Sequence, residues 1–334
     1  MKPRIAINGF GRIGRMVLRA IVESGRQDVE VVAINDLGSI DVNAHLLKYD
    51  SIHGRFPGTV TTAENTLDVG FGPIQVFSES DPEKLPWGKL GVDIVMECSG
   101  HFTDKEKASK HLKAGAKRVL VSAPTTNADM TIVYGVNHQE LTAEHRVVSC
   151  GSCTTNCLAP VASALHDAIG IEHGYMTTVH AYTGDQRLVD TIHNDLHRAR
   201  AAAMSMIPSS TGAAKALGLV LPALKGKLDG AAIRVPTANV SVIDLKFTPS
   251  RKTSVDEINS VMKKAAARMN TVLSIVEEPL VSIDFNHVSY SSNFDTTQTH
   301  VIDGQFCRVV SWYDNEWGFS NRMSDVAVEI AKLL

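Results

Sequence analysis

The sequence predicts an α/β chain in two parts, a doubly wound parallel sheet followed by an α+β region with a mostly antiparallel sheet. Three observations lead there. Short apolar runs alternate with helical patterns through the first half, as strand–helix–strand units require. A glycine-rich run, Gly9-Phe-Gly-Arg-Ile-Gly14, joins the first strand to the first helix. After Cys150 the pattern changes to one long helix, and then to strands rich in β-branched residues.

The elements follow in order. Ile5 to Asn8 is a buried strand, and Met16 to Ser24 is a helix with Val17, Leu18 and Ile21 on its apolar face. Val29 to Ile34 is the second strand. Val92 to Met96 and Arg118 to Ser122 are two more, separated by a charged helix from Asp104 to Ala114. Residues 58–77, with Val60, Leu67, Val69, Ile74 and Val76, read as short antiparallel strands inserted into the sheet. A helix from Cys153 to Ile169 carries Pro160 inside it, a predicted kink. Tyr175 to His180 and Ala231 to Phe247 are strands, Thr253 to Met269 is an amphipathic helix, and Gly318 to Leu334 is the last. The segment 181–207, polar and basic before it turns alanine-rich, is too long and patternless to be a plain connection.

Composition narrows the function classes. The chain has 334 residues, 44% of them hydrophobic and 21% charged, which suits two globular domains. A formal net charge of −3 leaves no basic excess for a dedicated nucleic-acid surface. No apolar run reaches the length of a membrane span. The start, MKPRIAINGF, lacks the apolar core of a signal peptide and points to the cytoplasm. Five cysteines, three of them within residues 150–157, do not make a secreted disulfide framework. Cys153 and Cys157 lack a second ligand pair for zinc, so no metal site is expected.

The glycine run has the context its chemistry needs. It follows a strand, opens a helix and precedes a second strand ending at Asp36. Gly9, Gly11 and Gly14 permit a tight turn and close backbone approach, and the helix start offers N–H groups to a pyrophosphate. This is the pattern of a Rossmann dinucleotide-binding domain. Asp36, 22 residues beyond Gly14, can accept from both ribose hydroxyls and repels a 2′-phosphate, favouring NAD over NADP.

Cys153 stands where a strand gives way to a helix, a position that favours thiolate. Cys150 and Cys157 read as structural. Among 13 histidines, His180 ends an apolar strand and opens the long polar segment, a fit position for a catalytic base. His45, His111 and His138 lie in patterns typical of the surface. Arg198, Arg200 and Arg234, with Thr183 and Thr211-Gly212, supply donors suited to phosphate.

Six segments in order resemble the glyceraldehyde-3-phosphate dehydrogenase family. They are Ala6 to Gly14, Ser152-Cys-Thr-Thr-Asn156, Val179-His-Ala-Tyr-Thr183, Arg198-Ala-Arg-Ala-Ala202, Ser210-Thr-Gly-Ala-Ala-Lys215 and Trp312-Tyr-Asp-Asn-Glu-Trp-Gly318. The resemblance implies a phosphorylating, NAD-dependent oxidation of glyceraldehyde 3-phosphate with inorganic phosphate, in glycolysis and gluconeogenesis. It implies Cys153 as nucleophile and His180 as base. It places Thr183, Arg198 and Arg234 around the substrate phosphates, and Ser152, Thr154, Thr211 and Gly212 near the attacking phosphate. Arg12, Ile13, Asp36, Ser122 and Asn315 are placed against NAD. It further implies residues 1–149 as the NAD-binding domain, completed by the C-terminal helix 316–334, and residues 150–315 as the catalytic and oligomerisation domain. The 181–207 segment is then a loop lining a neighbour's cofactor site in a homotetramer. Three positions depart from the family pattern: Cys150 beside the nucleophile, Ser80 in place of an adenine-side arginine, and Thr191-Ile192 in place of Leu-Pro. Erythrose-4-phosphate dehydrogenase shares the cofactor motif and nucleophile, but the His180-Ala-Tyr-Thr183 and Thr211-Gly212 runs suit the triose substrate. A non-catalytic dinucleotide- or RNA-binding role is opposed by the intact Cys153 and His180.

Overall fold

A computed structural model of the chain describes residues 2–334. It divides into two compact units, residues up to Ser152 together with Ser320–Leu334, and Cys153–Phe319.

The first unit is built on strands β1 (Arg4–Asn8), β2 (Glu30–Asn35), β3 (Tyr49–Asp50), β4 (Gly54–Arg55), β5 (Thr61–Ala63), β6 (Thr66–Asp68), β7 (Pro73–Phe77), β8 (Ile94–Glu97), β9 (Arg118–Val121), β10 (Met130–Thr131) and β11 (Val147–Ser149). Its helices are α1 (Arg12–Glu23), α2 (Ile40–Lys48), α3 (Lys105–Ala108) and α4 (Lys110–Lys113). Nine strands form one sheet in the order β10-β11-β9-β8-β1-β2-β7-β6-β5. All neighbours from β10 to β7 run parallel, and β6 and β5 add an antiparallel edge. The order reverses at β1, between β2 and β8, so a crevice opens beyond the carboxyl ends of these strands. Apolar runs bury both faces: Ile5, Ala6, Ile7, Val95 and Met96 have no exposure. The short strands within 58–77 are present, but β7 pairs in parallel with β2, joining the main sheet.

The β1–α1 corner depends on glycine. Gly9 lies at φ 89, and a Cβ there would meet the Ser99 Cα at 2.5 Å. A Cβ on Gly14 would meet the Gly9 carbonyl oxygen at 2.1 Å, so helix and loop approach too closely for any side chain. Around Gly11, which precedes the helix, a Cβ would meet nothing within 4 Å.

Two expectations need correction. The charged helix 104–114 is two short helices, α3 and α4, broken at Ser109, whose hydroxyl donates to the Lys105 carbonyl at 2.6 Å. His111 is not at the surface but fully buried. Its lysine-rich neighbours disguise it in sequence, while Trp87 and Glu97 enclose it. The Trp87 indole N–H donates to His111 Nδ1 at 3.0 Å, and the ring therefore holds its proton on Nε2, which donates to Glu97 at 2.9 Å.

The second unit contains α5 (Cys153–Ile169), β12 (His173–Ala181), β13 (Ile207–Ser210), α6 (Ala213–Val220), β14 (Leu228–Val235), β15 (Ser241–Thr248), α7 (Val255–Arg268), β16 (Leu273–Val276), β17 (Ser292–Ile302) and β18 (Phe306–Tyr313). The final helix, α8 (Trp317–Ala331), starts here and continues into the first unit's segment. Seven strands order as β13-β14-β12-β15-β18-β17-β16. Only β12–β14 and β16–β17 are parallel, so the sheet is mostly antiparallel. The predicted strand Ala231–Phe247 is two strands, β14 and β15, separated by residues 236–240, where Val240 turns the chain with φ 69. Helix α5 runs through Pro160, with Leu158, Val161 and Leu165 fully buried. Helix α7 is capped by the Ser254 hydroxyl and buries Ile258, Met262 and Ala265, one face of a 3.6-residue period.

The glycine geometry yields a stability contrast. Gly14→Ala should lower unfolding free energy in urea by about 1–3 kcal/mol, because the backbone must shift. Gly11→Ala, at a helix start with open space around it, should cost less than about 1 kcal/mol.

Candidate functional site

The first unit holds the residues that the sequence assigns to a dinucleotide, except Asn315, which lies in the second. At the β1–α1 corner lies a cavity of about 380 Å³ lined by Gly9, Gly11, Asp36, Ser80, Cys98 and Phe102, among others. The open space at Gly11 leaves room for a ligand against the helix start, where Arg12 and Ile13 are the first two helical residues. Asp36 Oδ2 accepts from Phe10 N at 2.7 Å and Oδ1 from Gly38 N at 2.8 Å. Oδ1 also accepts from Asn43 Nδ2 at 3.4 Å, so Oδ2, with one donor, retains acceptor capacity for a hydroxyl. Ser122 is half-buried and hydrogen-bonded to the Cys98 thiol, which burial pushes well up.

Beneath this corner three strand ends are knitted together. Asn35 Nδ2 donates to Asn8 Oδ1 at 2.7 Å, and Asn8 Nδ2 donates to Glu97 at 2.5 Å. Glu97 also accepts from Ser99 N and from His111. The buried carboxylate is thus surrounded by donors, the condition for keeping a charge inside a protein. Arg12 is itself held. Its guanidinium grips Asp50 through both terminal nitrogens. Burial alone would raise the Asp50 carboxyl, but Arg12 and the N–H groups of His53 and Ile52 outweigh it and hold it at about 2.

In the second unit, Cys153 is the first residue of α5 and His180 the penultimate residue of β12. Cys153 Sγ lies 3.6 Å from His180 Nε2. His180 Nδ1 lies 2.7 Å from the Ala181 carbonyl oxygen, which can only accept. The proton is therefore on Nδ1, and Nε2 presents a lone pair to the thiol. Burial and then the Arg234 charge bring the imidazole down to about 4, leaving it neutral near pH 7. Burial pushes the Cys153 thiol up, opposed by the Arg234 charge and by hydrogen bonds at Thr154. Cys150 and Cys157 are fully buried and pushed up to about 12, as inert thiols are.

Arg234 completes the cluster. Its Nη1 lies 3.3 Å from both Ala181 O and Thr183 Oγ1, while its buried Nε has no hydrogen-bond partner. A buried guanidinium with an unmet donor suits an arriving anion. Arg198 lies one step out, bonded through two nitrogens to Ser209 Oγ and paired with Asp185 at 2.7 Å. Arg200 does not join; it is exposed and paired with Asp190. Thr211 Oγ1 accepts from Ala213 N, and Gly212 caps α6. Ser152 is half-buried and immediately precedes Cys153. Asn315 Oδ1 accepts from Ser241 Oγ at 2.9 Å. Sequence reasoning gave no role to Tyr313, whose hydroxyl bonds Thr154 at 2.8 Å and Thr178 at 2.9 Å, nor to Asp50, Asp185 or Ser241. Their partners lie on other elements, Thr154 on α5, Thr178 and Ala181 on β12 and Arg12 on α1, while Asp185 meets Arg198 within the 181–207 segment. Among the described residues, no cluster of three or more His, Cys, Asp or Glu could hold a metal, and no helix is long and apolar enough to cross a membrane.

Comparisons with known proteins place the chain in a family. Residues 3–105 match the glyceraldehyde 3-phosphate dehydrogenase NAD binding domain, and residues 152–315 match the C-terminal domain of the same family. The chain is 65% identical to a glyceraldehyde-3-phosphate dehydrogenase from Xanthobacter flavus and 64% identical to one from Cereibacter sphaeroides, each match covering the whole of both chains. A namesake from Geobacillus stearothermophilus is 54% identical over 99% of each chain. The chain belongs to the glyceraldehyde 3-phosphate dehydrogenase family, and it is an NAD-dependent oxidoreductase.

Proposed function

We propose that the protein oxidises glyceraldehyde 3-phosphate with inorganic phosphate to 1,3-bisphosphoglycerate, using Cys153 as nucleophile and His180 as general base. The observation that carries this reading is the pairing of Cys153 Sγ with an imidazole whose tautomer is locked by Ala181 O. As the thiol attacks the aldehyde carbon, a C–S bond forms, the C=O π bond opens, and the thiol proton passes through His180 Nε2 to the carbonyl oxygen, giving a thiohemiacetal. His180, once neutral again, takes the hydroxyl proton as the thiohemiacetal is oxidised to a thioester. NAD, when bound, supplies the acceptor for the hydride lost in that oxidation. Phosphate oxygen then attacks the thioester carbon, and the C–S bond breaks to release Cys153 and the acyl phosphate.

The remaining residues bind and orient. Arg234 and Thr183, with Arg198 behind them, offer donors to the phosphates, while Ser152, Thr154, Thr211 and Gly212 lie near the attacking anion in this reading. The first unit holds the cofactor. The glycine corner fits a pyrophosphate, Gly9, Gly11, Gly14, Arg12 and Ile13 supply close backbone, and Asp36 accepts from the ribose. Ser122 and Asn315 are further contacts to it. The chemistry suits glycolysis and gluconeogenesis, and five free thiols suit the reducing cytoplasm.

A homotetramer is part of the same reading. On the isolated chain the 181–207 segment leaves Leu188, Ile192, Leu196 and Met204 each more than four-fifths exposed. Apolar side chains so concentrated on one segment mark a surface that another copy covers.

Four measurements test these assignments. Steady-state rates with glyceraldehyde 3-phosphate should depend on inorganic phosphate and exceed those with erythrose 4-phosphate; the reverse ranking would select the tetrose enzyme. His180→Asn should lower kcat by roughly a hundred- to ten-thousand-fold. With its proton acceptor gone, the Cys153 thiol keeps its raised pKa, so alkylation by iodoacetamide near neutrality should slow by about tenfold or more. The two proteins should converge in strong alkali, as peptide mass spectrometry at Cys153 would record. Finally, Ile192→Asp should shift the sedimentation coefficient from that of four chains toward smaller species.

A further inference from the structure

The register of the second sheet puts one hydroxyl between two parts of the site that sequence keeps far apart. Strand β15 lies between β12, which ends in His180 and Ala181, and β18, which leads to Asn315. Ser241 is the first residue of β15 and pairs with Tyr313. It is almost fully buried. Its hydroxyl oxygen lies 3.0 Å from Ala181 N and 2.9 Å from Asn315 Oδ1. A backbone N–H can only donate, so Ser241 Oγ accepts from Ala181. Its single proton is then given to Asn315 Oδ1. That fixes the carboxamide with Nδ2 on the other side, where it has no hydrogen-bond partner among the described residues.

The backbone before Ser241 carries a second signal. Val240 sits at φ 69, a left-handed conformation that a β-branched residue adopts only under constraint. The constraint is visible. Val240 packs with Val276 and Phe285, and Asn239 Nδ2 donates to Asn286 Oδ1 and Asp314 Oδ2. Strain next to a site is tolerated where surrounding contacts hold a particular geometry, and here the following residue is Ser241.

We propose that Ser241 is a positioning residue that sets the Asn315 carboxamide as an outward donor toward the cofactor, while anchoring the Ala181 peptide that orients His180. The proposal rests on the placement of Asn315 against NAD in the function proposed above. Ser241 itself touches neither substrate nor cofactor in this account; it acts through Asn315 and Ala181.

The test is a double-mutant cycle read by calorimetric titration of NAD into the full-length protein without substrate. Asn315→Ala should weaken NAD binding by about fivefold, the size of one neutral hydrogen bond. Ser241→Ala should weaken it by a similar factor, and the double variant by no more than Asn315→Ala alone. kcat at saturating NAD and phosphate should fall further in Ser241→Ala than in Asn315→Ala, because only the former also loosens Ala181. If Ser241→Ala does not fold, Ser241→Cys, of similar size but a poorer donor, enters the same cycle. Multiplicative effects in the double variant, or NAD affinity unchanged in the Ser241 variant while Asn315→Ala weakens it, would overturn the positioning role alone. Unchanged affinity in Asn315→Ala would remove the Asn315 assignment, and this inference with it.

Discussion

The hydrogen bond from His180 Nδ1 to the Ala181 carbonyl is the contact on which the proposed chemistry depends. An imidazole can serve a thiol as base only with its lone pair toward the sulfur, and this bond makes that the stable tautomer. It also explains how Arg234 can stand 3.2 Å from Nδ1 without competing for it. The guanidinium turns to Ala181 O and Thr183 Oγ1, and its charge, with burial, keeps the ring neutral. Ala181 is therefore held from both ends, its carbonyl by His180 and Arg234 and its N–H by Ser241. One residue of an extended strand thus fixes tautomer and orientation together, while burial and Arg234 set the charge.

The features legible in sequence are those whose physical requirement is local. Glycines at 9 and 14 are dictated by backbone atoms a few residues away or by the adjacent strand end. Cys153 is marked by the start of its own helix, and His180 by the end of its own strand. The alternation that predicts a parallel sheet survives because strands buried on both faces must be apolar along their length. Local pattern fails where burial is imposed from elsewhere. His111 has the lysines of a surface helix around it, yet Trp87 and Glu97 draw it inside. The turn at Val240 likewise answers to contacts that no window of sequence contains.

The supporting residues of the site were hidden for the same reason. Tyr313 meets Thr154 across 159 positions, and Ser241 meets Asn315 across 74. The packing of helix α5 on the sheet makes the first pair, and the β15–β18 register brings Ser241 beside Tyr313 and so near Asn315. The resemblance to known sequences supplied reactive groups by position, but the hydrogen-bond partners that aim them had to come from geometry. This division is physical: reactive groups need a particular residue type, whereas aiming them needs only a hydroxyl or carboxylate at the right place.

Arg12 of the first unit and Arg234 of the second are prepared in opposite ways. Arg12 is already gripped by Asp50, whose carboxyl stays ionised down to about pH 2, so this arginine brings little uncompensated charge to the glycine corner. Attraction for a pyrophosphate there must come largely from backbone N–H groups and the helix start, which do not vary with pH. Arg234 has no carboxylate among its hydrogen-bond partners and keeps its buried Nε unmet. An arriving phosphate therefore relieves a desolvated charge rather than displacing a rival anion. In the function proposed above, the glycine corner would hold the cofactor by fixed dipoles, and Arg234 would meet the phosphate as a cation left waiting.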